Sequence, residues 1–249
     1  MTDAPPRAFR LGLINPNTDT AHTAAMLEVV AGVLPAGGAV DAVAVARGPR
    51  SIESRADAAV AAAEVARAVH DDPGHDAYLI ACFGDPGLDA ARELTGAPVV
   101  GIGAAAFAAV AMVARRFAVI TTLARGIAEL EEAVEAAGLR RRCAGVLALG
   151  IPVAAQGAAY PDTTERIIEL GRRACEELGA DALVLACGGM SGVTERVAQA
   201  VGVPATNGVA VGALTAHALW RAGLRTSAGG AYAPPEPIPY DGMPSFTRS

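Results

Sequence analysis

Two of the four cysteines in this 249-residue chain occupy the same place in two copies of one pattern. The first copy runs Asp76-Ala77-Tyr78-Leu79-Ile80-Ala81-Cys82-Phe83-Gly84-Asp85-Pro86-Gly87. The second runs Asp181-Ala182-Leu183-Val184-Leu185-Ala186-Cys187-Gly188-Gly189-Met190-Ser191-Gly192, each residue 105 positions after its counterpart. Both are short apolar runs that end in Ala-Cys and break into glycines. A buried strand feeding a Gly-rich turn places its thiol at the strand's carboxyl end, where open α/β sheets bind ligands. Two thiols facing each other across one cleft could take a proton from one side of a carbon centre and return one to the other.

A thiol is a competent base when its pKa falls from about 8.5 toward neutrality. Both candidate thiols precede a turn that opens a helix, where free N–H groups and the positive dipole end favour the thiolate. The N–H groups of Phe83, Gly84, Gly188 and Gly189 are placed to hydrogen-bond an oxygen that turns negative as a C–H bond ionises. Cys143, before a strand, and Cys175, within a helix, have no following glycine turn and read as small buried apolar residues.

Other polar residues fall at matching strand ends. Asn15, in Asn15-Pro16-Asn17-Thr18, either donates to a substrate carbonyl or simply belongs to a capping turn, with Thr18 as the expected N-cap. Thr121 and Thr122 end the equivalent strand of the second half and offer two hydroxyls. His70 and His75 flank the polar turn Asp71-Asp72-Pro73-Gly74 and read as surface residues, while His22 and His217 fall on expected helices. No spacing resembles a zinc site, so no metal is expected. Gly101-Ile102-Gly103 comes too late in the order to be a dinucleotide fingerprint.

The elements that must position these residues alternate. Strands are expected at 10–14, 40–45, 77–81, 99–102, 117–121, 144–149, 182–186 and near Val203. Helices are expected at 20–34, 52–70, 87–95, 126–137, 162–178, 192–201 and 209–222. This alternation predicts parallel sheets with right-handed crossovers. Arg10–Asn15 also matches Arg116–Thr121, and Gly96-Ala97-Pro98 matches Gly202-Val203-Pro204, both at an offset of 106. The fold class is therefore α/β: two pseudo-symmetric lobes, each a short parallel sheet flanked by helices, with the active-site cleft between them. Residues 1–108 with 208–249 are expected to form the first lobe and 109–207 the second. The Pro-rich tail from Ser227 is expected to be irregular, lying on the surface or against a neighbouring subunit.

Composition narrows the function. All 20 Lys+Arg residues are arginine, which excludes a pyridoxal-phosphate Schiff base and a Walker-type phosphate loop. A net charge of −6 with scattered basic residues argues against nucleic acid. The single basic run, Arg140-Arg141-Arg142, reads as a solvated helix end. No apolar stretch has membrane-spanning character and no signal segment is evident, so the cysteines read as reduced cytoplasmic thiols. The expected partner is a small molecule.

Ile14-Asn15-Pro16-Asn17-Thr18, Gly48-Pro49 with Ser51-Ile52-Glu53, and the Asp76–Asp89 segment together resemble the hydantoin racemase family. Pro98–Ile102, Phe117–Thr122 and Cys187-Gly188-Gly189-Met190 continue the likeness, which spans most of residues 9–232. That family is part of the aspartate/glutamate/hydantoin racemase group, which includes allantoin racemases. The resemblance implies a cofactor-independent racemase or epimerase with two facing cysteines, frequently a homo-oligomer, acting on a 5-substituted hydantoin or allantoin. Cys82 and Cys187 match the two acid/base thiols. Asn15, Phe83, Gly84, Thr121, Thr122, Gly188 and Gly189 fall where the substrate cleft is built. Four positions depart: Ala104 and Ala108 replace an acidic residue and a histidine, Asn207 an aspartate, and Gly188 an alanine. Two alternatives stand beside this reading. One is a cysteine-dependent isomerase or decarboxylase of a small dicarboxylic acid, or an Asp/Glu-type amino-acid racemase, on the same fold. The other is a non-catalytic binder.

Overall fold

The apolar runs form two four-stranded parallel sheets in the computed structural model, which describes residues 8–43, 45–153, 162–241 and 245–246. In the first sheet β1 (Arg10–Ile14), β2 (Ala39–Val43), β3 (Ala77–Ile80) and β4 (Val99–Gly101) lie in the order β2-β1-β3-β4. In the second, β5 (Phe117–Thr121), β6 (Cys143–Ala148), β7 (Ala182–Leu185) and β8 (Ala205–Thr206) repeat that order as β6-β5-β7-β8. Helices α1 (Thr20–Val33), α2 (Arg55–Asp71) and α3 (Leu88–Leu94) serve the first sheet. Helices α5 (Ile127–Ala136), α6 (Thr163–Leu178) and α7 (Thr194–Val201) serve the second.

The duplication holds bond for bond. Asp76 and Asp181 each accept the N–H that opens the first strand of their half, from Arg10 (2.9 Å) and Arg116 (2.8 Å). Their own N–H groups donate to the carbonyls of Arg10 and Arg116, both at 2.9 Å. The N–H groups of Ala81 and Ala186 donate to Ile14 and Ile120, both at 2.8 Å. In each half the register of the two central strands is therefore pinned at both ends, and the cysteine comes next. A one-residue slip would turn that side chain to the other face.

The central strands of both sheets are buried on both faces, as crossover helices require, while the edge strands β2 and β6 are partly exposed. Leu11, Leu13 and Leu79 pack with Met26 and Val30 of α1, while Ile14, Tyr78 and Ile80 pack with Val65 and Val69 of α2. Helix α8 (Val209–Arg221) returns to the first sheet, where Val209, Ala213 and Ala216 join the cluster around Leu11 and Leu79.

One helix, α4 (Ile102–Val113), was not expected from the sequence. Every residue in Ile-Gly-Ala-Ala-Ala-Phe-Ala-Ala-Val-Ala-Met-Val is apolar or glycine, so no polar stripe marks the helical period. The helix needs none because it serves two cores. Ile102 and Ala105 belong to the first, and Ala106, Phe107 and Val110 to the second. Residues 108 and 109, where the lobes are expected to meet, lie inside it.

Several smaller expectations are corrected. Asp19, not Thr18, caps α1, accepting from the N–H groups of Ala21 and His22. His75 is buried rather than exposed, with its ring nitrogens 3.4 Å from Asp41 and 3.6 Å from Asp72. Arg142 does not extend into solvent: its guanidinium donates to the carbonyls of Ala111 (2.7 Å) and Ala114 at the end of α4. The short β8 begins after Pro204, whose carbonyl accepts from Leu183 at 2.8 Å. The second strand stops at Val43, and Ala44, within its expected span, lies outside the described residues. The tail follows the first lobe, with the Tyr232 hydroxyl 3.0 Å from Asp89 and Arg92.

Phe107 is 3% exposed and holds α4 to both halves, meeting Phe83 edge-on at 5.5 Å and Phe117 at 6.1 Å. Phe107→Ala is expected to lower unfolding free energy by about 3–5 kcal/mol, read by urea denaturation.

Candidate active site

The Cys82 turn is built around a buried carboxylate. Beyond β3 the Asp85 N–H closes back on the Cys82 carbonyl at 3.0 Å, with Asp85 itself in the left-handed region at φ 46°. The Asp85 side chain accepts the N–H groups of Gly103 (2.9 Å) and Ala104 (2.8 Å), two of the unpaired donors that open α4. This contact explains the pair of glycines around Ile102. A β-carbon at Gly101 would lie 2.2 Å from the Asp85 carboxyl carbon, and one at Gly103 would lie 2.2 Å from the Phe83 carbonyl oxygen.

Cys187 is set by the equivalent strand end, and its turn runs straight into a 3-10 helix at Gly188–Val193. That turn meets the first lobe. A β-carbon at Gly188 would stand 2.8 Å from the Met26 sulfur and 3.1 Å from the Ala81 carbonyl oxygen. The departure to glycine at this position therefore goes with a methionine that fills the same space.

The two cysteines open into one cavity of about 150 Å³ between the sheet ends. This is smaller than the ~300–1,000 Å³ usual for drug-sized ligands and suits a small ring compound. Asn15, Phe83, Gly84, Thr121, Thr122, Gly188 and Gly189 all line it with Cys82 and Cys187. Cys143 and Cys175 do not, and all four cysteines are free. Five polar side chains not singled out as site residues also line it: Asn17, His22, Glu53, Ser54 and Glu129. Their positions at helix starts or in a loop carry no periodic signal; only the fold turns them inward.

The electrostatics reverse one expectation. Burial pushes the Cys82 thiol up to about 12, and Cys187, Asp85 and Glu129 nearby add to the rise. The Gly84 N–H opposes it, as a helix-opening donor should, but it is outweighed. So raised, Cys82 is a neutral thiol near neutral pH.

The neighbouring polar groups divide into two kinds. The Asn15 amide is already committed, donating to Asn17 (2.9 Å), Thr23 (2.9 Å) and the Asp19 carbonyl (3.2 Å). It organises the turn that enters α1 instead of presenting a free donor. Thr121 and Thr122 are buried at the cavity wall, and their hydroxyls make no hydrogen bond among the described residues. Ala104 and Ala108 lie on the exposed side of α4, outside the cavity lining. Asn207 is buried just before α8, where its oxygen accepts from Val209 and its amide nitrogen has no partner among the described residues. Among the described residues no group of three or more His, Cys, Asp or Glu could hold a metal ion.

Comparison with known proteins gives this geometry its setting. The sequence profile of the Asp/Glu/Hydantoin racemase family matches residues 11–216. The chain belongs to that family. It is 40% identical to a hydantoin racemase of Rhizobium meliloti, over 91% of this chain and 95% of that one. Its structure is similar to an allantoin racemase from Klebsiella pneumoniae, with a TM-score of 0.90 and 36% identity over 94% of this chain and 97% of that one. An allantoin racemase from Pseudomonas fluorescens gives 0.89 and 32% identity over 94% of this chain and 100% of that one.

Within this family member, Asp85 provides a pH signature of the cysteine turn. Burial lifts its carboxyl from 3.8 to about 7, the two N–H donors notwithstanding. The folded state then holds a proton that the unfolded chain releases, so stability falls as pH rises from about 4 through about 7. Asp85→Asn, which cannot ionise, is expected to flatten that slope in urea titrations between about pH 4 and 7, while lowering overall stability through the lost second acceptor.

Proposed function

We propose that this protein is a cofactor-independent racemase or epimerase that moves a proton at the acidic carbon of a 5-substituted hydantoin or of allantoin. Cys82 and Cys187 are its two acid/base groups. The observation that carries the reading is the pair of thiols delivered by equivalent strand ends into one small cavity. The hydantoin and allantoin racemases to which the chain is similar support the substrate class.

In this mechanism one sulfur, as thiolate, removes the proton from C5, and the electron pair moves onto the adjacent carbonyl oxygen. The enolate so formed is planar. The N–H groups of Phe83, Gly188 and Gly189 and the hydroxyls of Thr121 and Thr122 receive its charge, while Asn15 holds the neighbouring turn in shape. The opposite thiol then delivers its proton to the other face. The two sulfurs end with their protonation states exchanged, and the pair titrates as a unit.

A decarboxylase on the same fold requires one proton donor only, so the second thiol favours the racemase. Reaction in D₂O separates them: racemisation places one deuterium at the stereocentre, whereas decarboxylation releases CO₂. The reading extends to a cytoplasmic homo-oligomer. In support, α4 turns Met112 and Val113 outward at 80% and 65% exposure, and no described helix is long and apolar enough to cross a membrane.

Cys82→Ser and Cys187→Ser are each expected to lose about 10²–10⁴-fold in turnover in both directions, followed by circular dichroism of enantiopure substrate. Near-normal racemisation by either variant contradicts the mechanism. The pH profile gives an independent check. Enantiomers have equal free energy, so kcat/KM must match in the two directions at every pH. Both should climb together between about pH 7 and 10, because burial holds the Cys82 thiol up to about 12 and the active form of the pair has lost one proton. A flat profile over that range would mean a pair already ionised.

A further inference from the structure

The charge of the cavity wall is one-sided. Among the described residues its acidic side chains are Glu53 and Glu129 and no arginine lines it, and the chain contains no lysine. The Glu53 carboxylate is engaged, accepting the Val153 N–H at 2.9 Å and the Ser51 hydroxyl at 3.1 Å. Glu129 differs. In the first turn of α5, it makes no hydrogen bond or ion pair among the described residues. One of its oxygens would lie 3.3 Å from a β-carbon at Gly84, so the carboxylate rests against the cysteine turn itself. An uncommitted acceptor beside the reacting centre, in a wall without arginine or lysine, is suited to a ligand that donates.

We propose that Glu129 is the specificity-determining residue for the C5 substituent, selecting a group rich in N–H donors, ureido or cationic, and rejecting a carboxylate. This rests on the proposed racemase reading and narrows it. A donor-bearing substituent satisfies the Glu129 oxygens, which an apolar one leaves unpaired in the closed cleft. A carboxylate substituent brings like charge to Glu129 and Glu53 with no arginine or lysine on the wall to receive it. Substrates carrying a second carboxylate, such as acidic amino acids and malonates, meet the same barrier.

The test measures kcat/KM by circular dichroism for four enantiopure hydantoins, with ureido, 4-aminobutyl, isobutyl and 2-carboxyethyl groups at C5. The wild-type protein is compared with Glu129→Gln and with Glu131→Gln, an exposed glutamate of the same helix that does not line the cavity. Wild type is expected to favour the 4-aminobutyl over the 2-carboxyethyl compound by roughly 100-fold or more. Glu129→Gln should narrow the ratio between these two compounds about tenfold, whatever it does to the rate common to all four, and Glu131→Gln should leave that ratio intact. Equal wild-type rates for these two compounds overturn the inference without reference to any variant. A ratio unaltered in Glu129→Gln, including the case in which all four rates change by the same factor, also overturns it and leaves the two-cysteine mechanism standing. Failure of the wild type to racemise any of the four overturns both.

Discussion

The approach of Gly188 to the end of the first sheet is the contact on which the site depends. The backbone after Cys187 passes so close to the Ala81 carbonyl and the Met26 sulfur that a methyl group there would crowd both. Ala81 is the residue before Cys82. The contact therefore brings the two cysteine turns into one cavity, where either thiol alone would be an inert buried sulfur. Sheet order, crossover helices and the shared α4 all bring the two strand ends to this point.

Duplication explains how a fold delivers two acid/base groups from opposite sides. Each half pins the register of its central strands with the same hydrogen bonds, so each cysteine leaves its strand at an equivalent position. Joining the halves through α4 turns two equivalent sheet ends toward one space. The halves are not identical in chemistry. The first ends in a turn held by the buried Asp85 and an asparagine tied into its own loop. The second offers two hydroxyls that make no hydrogen bond among the described residues. A cleft assembled this way has near-symmetry at the proton-transfer pair and asymmetry everywhere else, which suits a substrate whose carbon centre carries different groups.

Protonation shows the same division. Helix-opening N–H groups beside a thiol favour the thiolate, but burial and nearby carboxylates outweigh them at Cys82. A neutral thiol is the natural resting state of a proton donor. Ionisation is then a property of the pair rather than of one residue.

Most of the strand positions, the duplication and the cysteine pair were legible in the chain because they rest on local patterns. Apolar runs of strand length, glycine turns and a constant offset survive without knowledge of what packs where. Helix α4 was not legible, since a segment buried by two cores has no polar face to betray its period. His75 read as a surface residue because its neighbours are polar, yet the fold closes Tyr78 and Asp41 around it. Glu129 and Glu53 stand at a helix start and in a loop, where no local pattern marks them as facing a site, and only the meeting of the two lobes turns them onto the cavity wall. Local sequence thus determined which atoms could carry protons and at which strand ends they stand. Tertiary structure alone decided which charges surround them, because those charges come from segments distant along the chain.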